Sequence, residues 1–352
     1  MRHTLLFVVV AVMAALVGCS PQAESGGGAA VNGSAKTQQQ TQIGIVFDTG
    51  GLGDKSFNDS AWRGMQRAEQ EFGFKVLKVE SKAESDYPSN LSALADQGCK
   101  VVVAVGINMR PALQQVAPQY PDVKFVSIDG EPIEGSPNVR TIQFKEEEGS
   151  FLVGYLAGLV TKTGKIGFVG GQELPLIHKF QYGYMAGAKT ANPAVTILPA
   201  KYTGSWDNQD TAKVAANVLF GEGADIVYHA AGRAGLGVIA AAKEKGLFAI
   251  GVDSDQDDIA PGHVLTSMIK RVDEGVYLTL KDFNDSKWTP GAVMYDLKTD
   301  GVGTTDFRNT KEKIGDEKIS KLEQVKAKLE SGEISPPTTE KSYAEFLSQA
   351  QG

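Results

Sequence analysis

The chain has 352 residues, with 35 Lys and Arg against 42 Asp and Glu, so its formal net charge at pH 7 is −7. This acidic balance, without a basic stripe to neutralise phosphates, argues against nucleic acid as a partner. The two cysteines, Cys19 and Cys99, exclude a scaffold of several disulfides, so a hydrophobic core must hold the fold.

The amino terminus has the pattern of an export signal. Arg2 and His3 precede an apolar run over residues 5–17, which is too short to span a bilayer comfortably. We therefore expect a signal peptide over residues 1–18. Its ending, Leu-Val-Gly-Cys at residues 16–19, resembles the lipobox of bacterial lipoproteins and implies that Cys19 becomes the lipidated first residue. An ordinary signal peptide followed by a chance cysteine is the alternative.

The next segment, residues 19–41, is rich in Gly, Ser, Ala and Gln and has no periodic apolar pattern. Such a composition buries too little surface to offset its chain entropy, which predicts a flexible tether. With a lipid on Cys19, the tether would join the folded part to a cell membrane, facing the periplasm or the exterior.

From residue 42 onward, short β-branched runs alternate with stretches long enough for helices. This alternation predicts parallel sheets covered by helices on both faces, and the total length favours two α/β lobes over one. The predicted strands are residues 43–47, 75–79, 101–105, 125–128, 141–144, 166–169, 196–198, 226–229, 248–252 and 264–268. Residues 146–161 predict a long helix with small residues on one face.

A glycine-rich loop follows the first predicted strand, over residues 48–59. Its spacing matches neither a dinucleotide-binding turn nor a Walker motif, and its three carboxylates would repel a phosphate. We therefore expect a neutral, hydroxyl-rich or amine-bearing ligand. Asp48 is the first candidate contact, because ligands of open α/β sheets bind beyond the carboxyl ends of the strands.

Two further aspartates follow apolar strands in the same way, Asp129 and Asp253. Carboxylates at strand ends accept hydrogen bonds from vicinal hydroxyls, the geometry that a ribose presents. The alternative for each aspartate is that it caps the following turn or helix.

Phe57 and Trp206 are aromatic residues in small, polar loops rather than in apolar runs. Two such rings from opposite lobes would sandwich a planar base. Trp206 has an alternative role as a packing residue between or within lobes.

Three other residues complete the predicted site. Asn58 offers a donor and an acceptor to a purine edge, with a helix cap as its alternative. Gly232 lies in a glycine-rich turn after a strand and permits a close backbone approach to a ligand. Lys270 ends a strand, where its ammonium would offset buried carboxylates and donate to a ribose oxygen; a solvated lysine is the alternative.

The sequence contains no recognisable catalytic set. The four histidines lie in separate segments without metal-ligand companions, and no serine has a nucleophile-elbow context. We expect no metal, no cofactor and no enzymatic activity.

The glycine-rich loop carries a resemblance to a known family. The sequences DTGG at residues 48–51 and DKSFN at residues 54–58 resemble the opening signature of the basic membrane protein family, the PnrA-like purine-nucleoside-binding lipoproteins. The resemblance extends over most of the mature chain. It implies that Asp129 and Asp253 contact the ribose and that Asp48 lies near the base. Family members often have Phe where this chain has Trp206.

The resemblance implies a two-lobed α/β fold of the type I periplasmic-binding-protein kind, each lobe a parallel sheet flanked by helices, with three crossovers. The expected first lobe comprises residues 42–145 plus about 254–292, and the second residues 146–253 plus about 293–352. The implied function is capture of a purine nucleoside for the permease of an ABC-type importer.

Two alternatives remain at this point. One keeps the binding fold but changes the ligand to a sugar or a small signalling molecule. The other is an exported nucleoside hydrolase that uses Asp48, Asp54 and Asp59 around a Ca²⁺.

Overall fold

The computed structural model describes residues 40–349. The predicted signal peptide, Cys19 and nearly all of the predicted tether lie outside these residues. Among the described helices, none is long and apolar enough to cross a membrane.

The folded part alternates strands and helices, as its hydrophobic pattern predicts. The strands are β1 (Gln42–Phe47), β2 (Lys75–Glu80), β3 (Val101–Val105), β4 (Lys124–Ile128), β5 (Val139–Phe144), β6 (Lys165–Gly170), β7 (Thr196–Ile197), β8 (Lys201–Tyr202), β9 (Ile226–Ala230), β10 (Phe248–Asp253), β11 (Val264–Lys270), β12 (Gly291–Tyr295) and β13 (Val302–Thr304). The α-helices are α1 (Phe57–Phe72), α2 (Tyr87–Asp96), α3 (Arg110–Val116), α4 (Glu146–Val160), α5 (Pro175–Ala191), α6 (Gln209–Gly221), α7 (Leu236–Lys245), α8 (Val272–Asn284), α9 (Lys311–Ile314), α10 (Asp316–Ser331) and α11 (Glu340–Gln349).

The strands form two sheets, one in each lobe. The first has the order β12-β5-β4-β3-β1-β2, and all its pairs are parallel. The second has the order β13-β11-β10-β9-β6-β7, with β8 also paired to β6, and only its β11–β13 pair is antiparallel. Because helices cover both faces of a parallel sheet, the central strands are continuously apolar; all five residues of β3 are buried.

Helix pairs cover each sheet. In the first lobe α1 packs against α8 and α2 against α3, while in the second α4 packs against α5 and α6 against α7. Separate buried clusters lie under the α2–α3 and α6–α7 layers. The predicted fold of two parallel-dominated lobes flanked by helices is therefore confirmed.

Within residues 40–349 the chain passes between the lobes three times, after β5, after β11 and after β12. The expected boundaries need one correction, because residues 254–270 belong with the second lobe and not the first. There, β11 pairs with β10 on one side and β13 on the other, so its backbone hydrogen bonds are satisfied only in the second sheet. The chain returns to the first lobe in α8 and β12, which ends at Tyr295.

Candidate functional site

A cavity lies between the two sheets, at the carboxyl ends of their strands. The first lobe contributes residues that follow β1 and β4, and the second contributes residues that follow β9 or end β10 and β11. The structure brings all eight predicted site residues to this cavity: Asp48, Phe57, Asn58, Asp129, Trp206, Gly232, Asp253 and Lys270.

One polar end of the cavity is built by the glycine-rich loop. Asp48 accepts hydrogen bonds from the backbone N–H of Gly50 and from Asn58 Nδ2, both at 2.9 Å. Burial raises the pKa of Asp48 to about 6, although these two hydrogen bonds act in the opposite direction. Asp48 thus stabilises the turn, as the alternative hypothesis for this residue proposed, and it also lines the cavity.

The orientation of Asn58 follows from its two acidic neighbours. Its Nδ2 donates to Asp48 Oδ1 and, at 3.2 Å, to Asp54 Oδ2, whereas its Oδ1 is buried without a hydrogen-bond partner among the described residues. Asp54, rather than Asn58, caps helix α1 by accepting from backbone N–H groups of its first turn. Asn58 therefore presents only an acceptor to the cavity.

The other polar end centres on the buried ammonium of Lys270. Its Nζ lies 2.6 Å from Asp129 Oδ2 and 3.0 Å from Glu146 Oε1, and its side chain is 1% exposed. Burial lowers the pKa of Lys270, but the carboxylates of Asp129, Glu146 and Asp253 more than offset this, so the ammonium stays charged. The solvated-lysine alternative is thereby excluded.

Asp129 and Asp253 both have left-handed backbone conformations, with φ of 66° and 64°. Such angles are rare for residues other than glycine and cost on the order of 1–3 kcal/mol each. Asp253 accepts a hydrogen bond from Ser56 Oγ of the opposite lobe, and one oxygen of Asp129 has no partner among the described residues. Burial raises the pKa of Asp129 to about 6 and that of Asp253 to about 7.

Aromatic rings also line the cavity beside these polar groups. Phe57 and Trp206 are partly exposed to the cavity, and Phe180 of α5 is buried beside it. Trp206 also packs on the second lobe, because a Cβ added at Gly171 would lie 2.4 Å from its ring. Gly232 has φ of 54°, a conformation that larger residues rarely adopt.

Several hydrogen bonds join the lobes around the cavity. Ser254 Oγ donates to the carbonyl of Ser56 at 2.9 Å, and Gln256 Nε2 donates to the carbonyl of Lys55 at 3.1 Å. Arg233 of the second lobe donates to the carbonyl of Leu52 in the first. The lobes are therefore closed over the cavity in this structure.

Comparison with known proteins places the chain in a family. Residues 41–340 match the family model Bmp, described as ABC transporter substrate-binding protein PnrA-like. The protein belongs to the Bmp family. This family membership agrees with the resemblance seen in the glycine-rich loop.

Curated relatives support the membership of this Bmp-family protein. It is similar to Basic membrane protein A of Borreliella afzelii, with 35% identity over 88% of this chain and 95% of the relative. It is also similar to the CD4+ T-cell-stimulating antigen of Listeria monocytogenes, with 33% identity over 86% of this chain and 89% of the relative.

Solved structures agree with the two-lobed fold of this Bmp-family protein. An ABC transporter system solute-binding protein from Aeropyrum pernix K1 has a TM-score of 0.79 and 29% identity, and the match covers 88% of this chain and 97% of that one. A transcriptional activator of the comK gene from Bacillus halodurans has a TM-score of 0.69 and 26% identity, covering 82% and 96%. A fold of the periplasmic-binding-protein kind is thus confirmed.

The carboxylates of the glycine-rich loop are engaged within the protein. Asp59 accepts from the backbone N–H of Gly53 at 2.7 Å and from that of Lys55 at 3.1 Å, while Asp54 accepts from the start of α1. Because backbone N–H groups point at these carboxylate oxygens, the oxygens are not arranged as ligands of a cation. Among the described residues, no group of three or more His, Cys, Asp or Glu has metal-binding geometry.

Some cavity residues of this Bmp-family protein were not predicted. Asn108 lies just beyond β3, so the strand-end rule that pointed to the aspartates also applies to it. Leu176, Ile177 and Phe180 lie on α5, where an apolar residue looks the same whether it lines a cavity or a core.

Proposed function

We propose that this Bmp-family protein captures purine nucleosides for an ABC-type importer while a lipid on Cys19 holds it at the outer face of a cell membrane. The observation that carries the proposal is the composition of the cavity, which combines aromatic rings with an acceptor-rich group of residues and a buried pair of carboxylate and ammonium. A nucleoside has the matching parts: a planar base for the rings and vicinal hydroxyls for the charged end.

The ribose end is supported by free hydrogen-bonding capacity. Among the described residues, Asp129 Oδ1 is buried without a hydrogen-bond partner, and the Lys270 ammonium, with three N–H groups, forms salt bridges to two carboxylates. A hydroxyl that donates to Asp129 and accepts from Lys270 satisfies both. Leaving such a buried acceptor unpaired costs about 1–3 kcal/mol, which the ligand recovers.

The base end is supported by the Asn58 amide. Because its Nδ2 is already bound to two carboxylates, its Oδ1 and the carboxylate of Asp48 are what remain for the ligand. This changes the expectation that Asn58 offers both a donor and an acceptor. A base whose edge carries N–H donors fits this end.

Calorimetric titration of a fragment beginning near Thr41 tests the ligand class. The fragment is refolded to remove carried-over ligand and titrated with guanosine, inosine, adenosine, cytidine and ribose. We expect tight binding of purine nucleosides, weakened in Trp206→Ala by about 1–3 kcal/mol through loss of stacking. Trp288→Phe, outside the cavity, is the control. Heat from ribose and none from any nucleoside would favour the sugar alternative.

The lipid anchor has a separate test in the intact protein. In cells labelled with palmitate, the wild type should carry label and sediment with membranes. Cys19→Ala should lose both properties, whereas Cys99→Ala should keep them because Cys99 is buried in the first lobe. Label retained in Cys19→Ala would refute the anchor.

A further inference from the structure

The strongest feature outside the cavity wall is a buried carboxylate that contacts Lys270. Glu146 is 1% exposed and does not line the cavity, but its Oε1 lies 3.0 Å from Lys270 Nζ and its Oε2 lies 3.4 Å from Lys179 Nζ. Both oxygens are therefore held by cations. Burying a carboxylate away from water costs free energy, so we expect the carboxylate beside Lys270 to have a specific role.

The position of Glu146 in the chain adds a second observation. It is the first residue of α4, directly after the first passage between the lobes, and Lys270 is the last residue of β11, directly before the second passage. The Glu146–Lys270 pair thus lies within the second lobe, whereas the Lys270–Asp129 pair joins the two lobes. When the lobes separate, Asp129 moves away with the first lobe and Glu146 stays with Lys270.

We propose that Glu146 is a positioning residue of the binding site: it fixes the Lys270 ammonium on the second lobe and shares its charge, so that one oxygen of Asp129 stays available to a ligand hydroxyl. This inference rests on the proposed function. Without Glu146, Asp129 becomes the main counter-charge of Lys270 in the closed protein, and Lys270 loses its salt bridge within its own lobe, where the more distant Asp253 carboxylate remains.

The first test compares two neighbouring neutral substitutions in the full-length protein, purified in detergent. Glu146→Gln keeps the size of the side chain but removes its charge, and we expect nucleoside affinity to fall about 10-fold or more. Glu147→Gln makes the same change at the next position, which has no salt bridge to Lys270, and should change affinity less than about 2-fold. Because burial raises the pKa of Glu147 to about 7, the affinities are compared at pH 8, where this carboxyl is mostly ionised.

The second readout separates positioning from general structural damage. The charged groups that act on Asp129 are Lys270 of β11, Asp253 of β10, Glu146 of α4 and Lys179 of α5. Since Glu146 raises the pKa of Asp129, which is about 6, Glu146→Gln should lower that pKa. Calorimetry near pH 6 in buffers of different ionisation enthalpy counts the protons released on binding. Glu146→Gln should release fewer than the wild type, and Glu147→Gln the same number.

The outcomes distinguish this inference from the proposed function. If the wild type binds none of the nucleosides, both fail. If the wild type binds and Glu146→Gln binds equally well, or binds weakly with unchanged proton release, only the role of Glu146 fails. If Glu146→Gln does not fold, Glu146→Asp is tested instead, because it keeps the charge but shortens the side chain. Wild-type affinity of Glu146→Asp would overturn the inference, whereas weaker binding with unchanged proton release would support it.

Discussion

At the scale of single residues, the candidate site concentrates unfavourable features. Asp129 and Asp253 are buried, have raised pKa values and adopt left-handed backbone angles. Each feature destabilises the ligand-free protein and is retained where the surrounding fold imposes it. Such residues are good candidates for ligand contacts, because the ligand supplies the missing hydrogen bonds.

Asp253 leads to a prediction about pH. Its pKa is raised to about 7, mainly by burial, so the carboxylate that we propose as an acceptor of ligand hydroxyls becomes protonated as the pH falls through 7. We expect calorimetric titrations to show weaker ligand binding at pH 6 than at pH 8. Asp253→Asn should weaken binding at both pH values and should reduce the difference in affinity between them. Asp255→Asn, an exposed residue paired with Arg308, should behave like the wild type.

The same shift has a consequence for stability. Because the pKa of Asp253 is raised in the folded state, its contribution to stability is full below its ordinary pKa of 3.8 and is lost as the pH rises from there through about 7. Asp253→Asn, which tolerates the left-handed angle, should therefore raise the unfolding free energy of the ligand-free protein at pH 8 by about 1 kcal/mol or more. Denaturant unfolding measures this difference, and a less stable variant would contradict the conclusion that the ionised Asp253 carboxylate destabilises the ligand-free fold.

At the scale of elements, the contact between α4 and α5 holds the second half of the site. A Cβ added at Gly154 would lie 2.0 Å from the carbonyl oxygen of Tyr184, and one added at Gly187 would lie 2.0 Å from that of Phe151. The two helix backbones therefore touch directly. This close packing fixes Glu146 at the start of α4 and Phe180 within α5.

This packing predicts a large effect for a small substitution. Gly154→Ala should destabilise the protein by more than about 2 kcal/mol in denaturant unfolding, since its methyl group must push two buried helices apart. Gly221→Ala, in the last turn of α6, is the matched control, because a Cβ there meets nothing within 4 Å. Equal stability of the two variants would show that the helices have room to separate.

At the scale of the whole molecule, closure depends on contacts between the lobes. Arg233 donates from the second lobe to the Leu52 carbonyl in the glycine-rich loop, close to the cavity but not lining it. Because this bond forms only when the lobes meet, it should stabilise the closed, ligand-holding form. Its loss should affect ligand release more than ligand capture.

Arg233→Ala tests this expectation. Stopped-flow tryptophan fluorescence should give a dissociation rate about 10-fold faster than that of the wild type, with an association rate changed much less. Arg308→Ala is the control, since Arg308 pairs with Asp255 and Asp258 within the second lobe. A slower association rate with unchanged dissociation would mean that Arg233 guides the ligand in rather than holding the lobes closed.

The sequence by itself determined ten of the thirteen described strands, the alternation with helices and the strand-end aspartates, because hydrophobic period and chain order are local properties. It missed β8, β12 and β13. Only the tertiary structure decided that β11 belongs to the second sheet, since pairing depends on strands distant in sequence. It also decided that Glu146, one of three consecutive glutamates, is the one that meets Lys270. Likewise, Phe180 lines the cavity, and Asn58 has only its amide oxygen left as an acceptor, because of neighbours whose positions the fold determines.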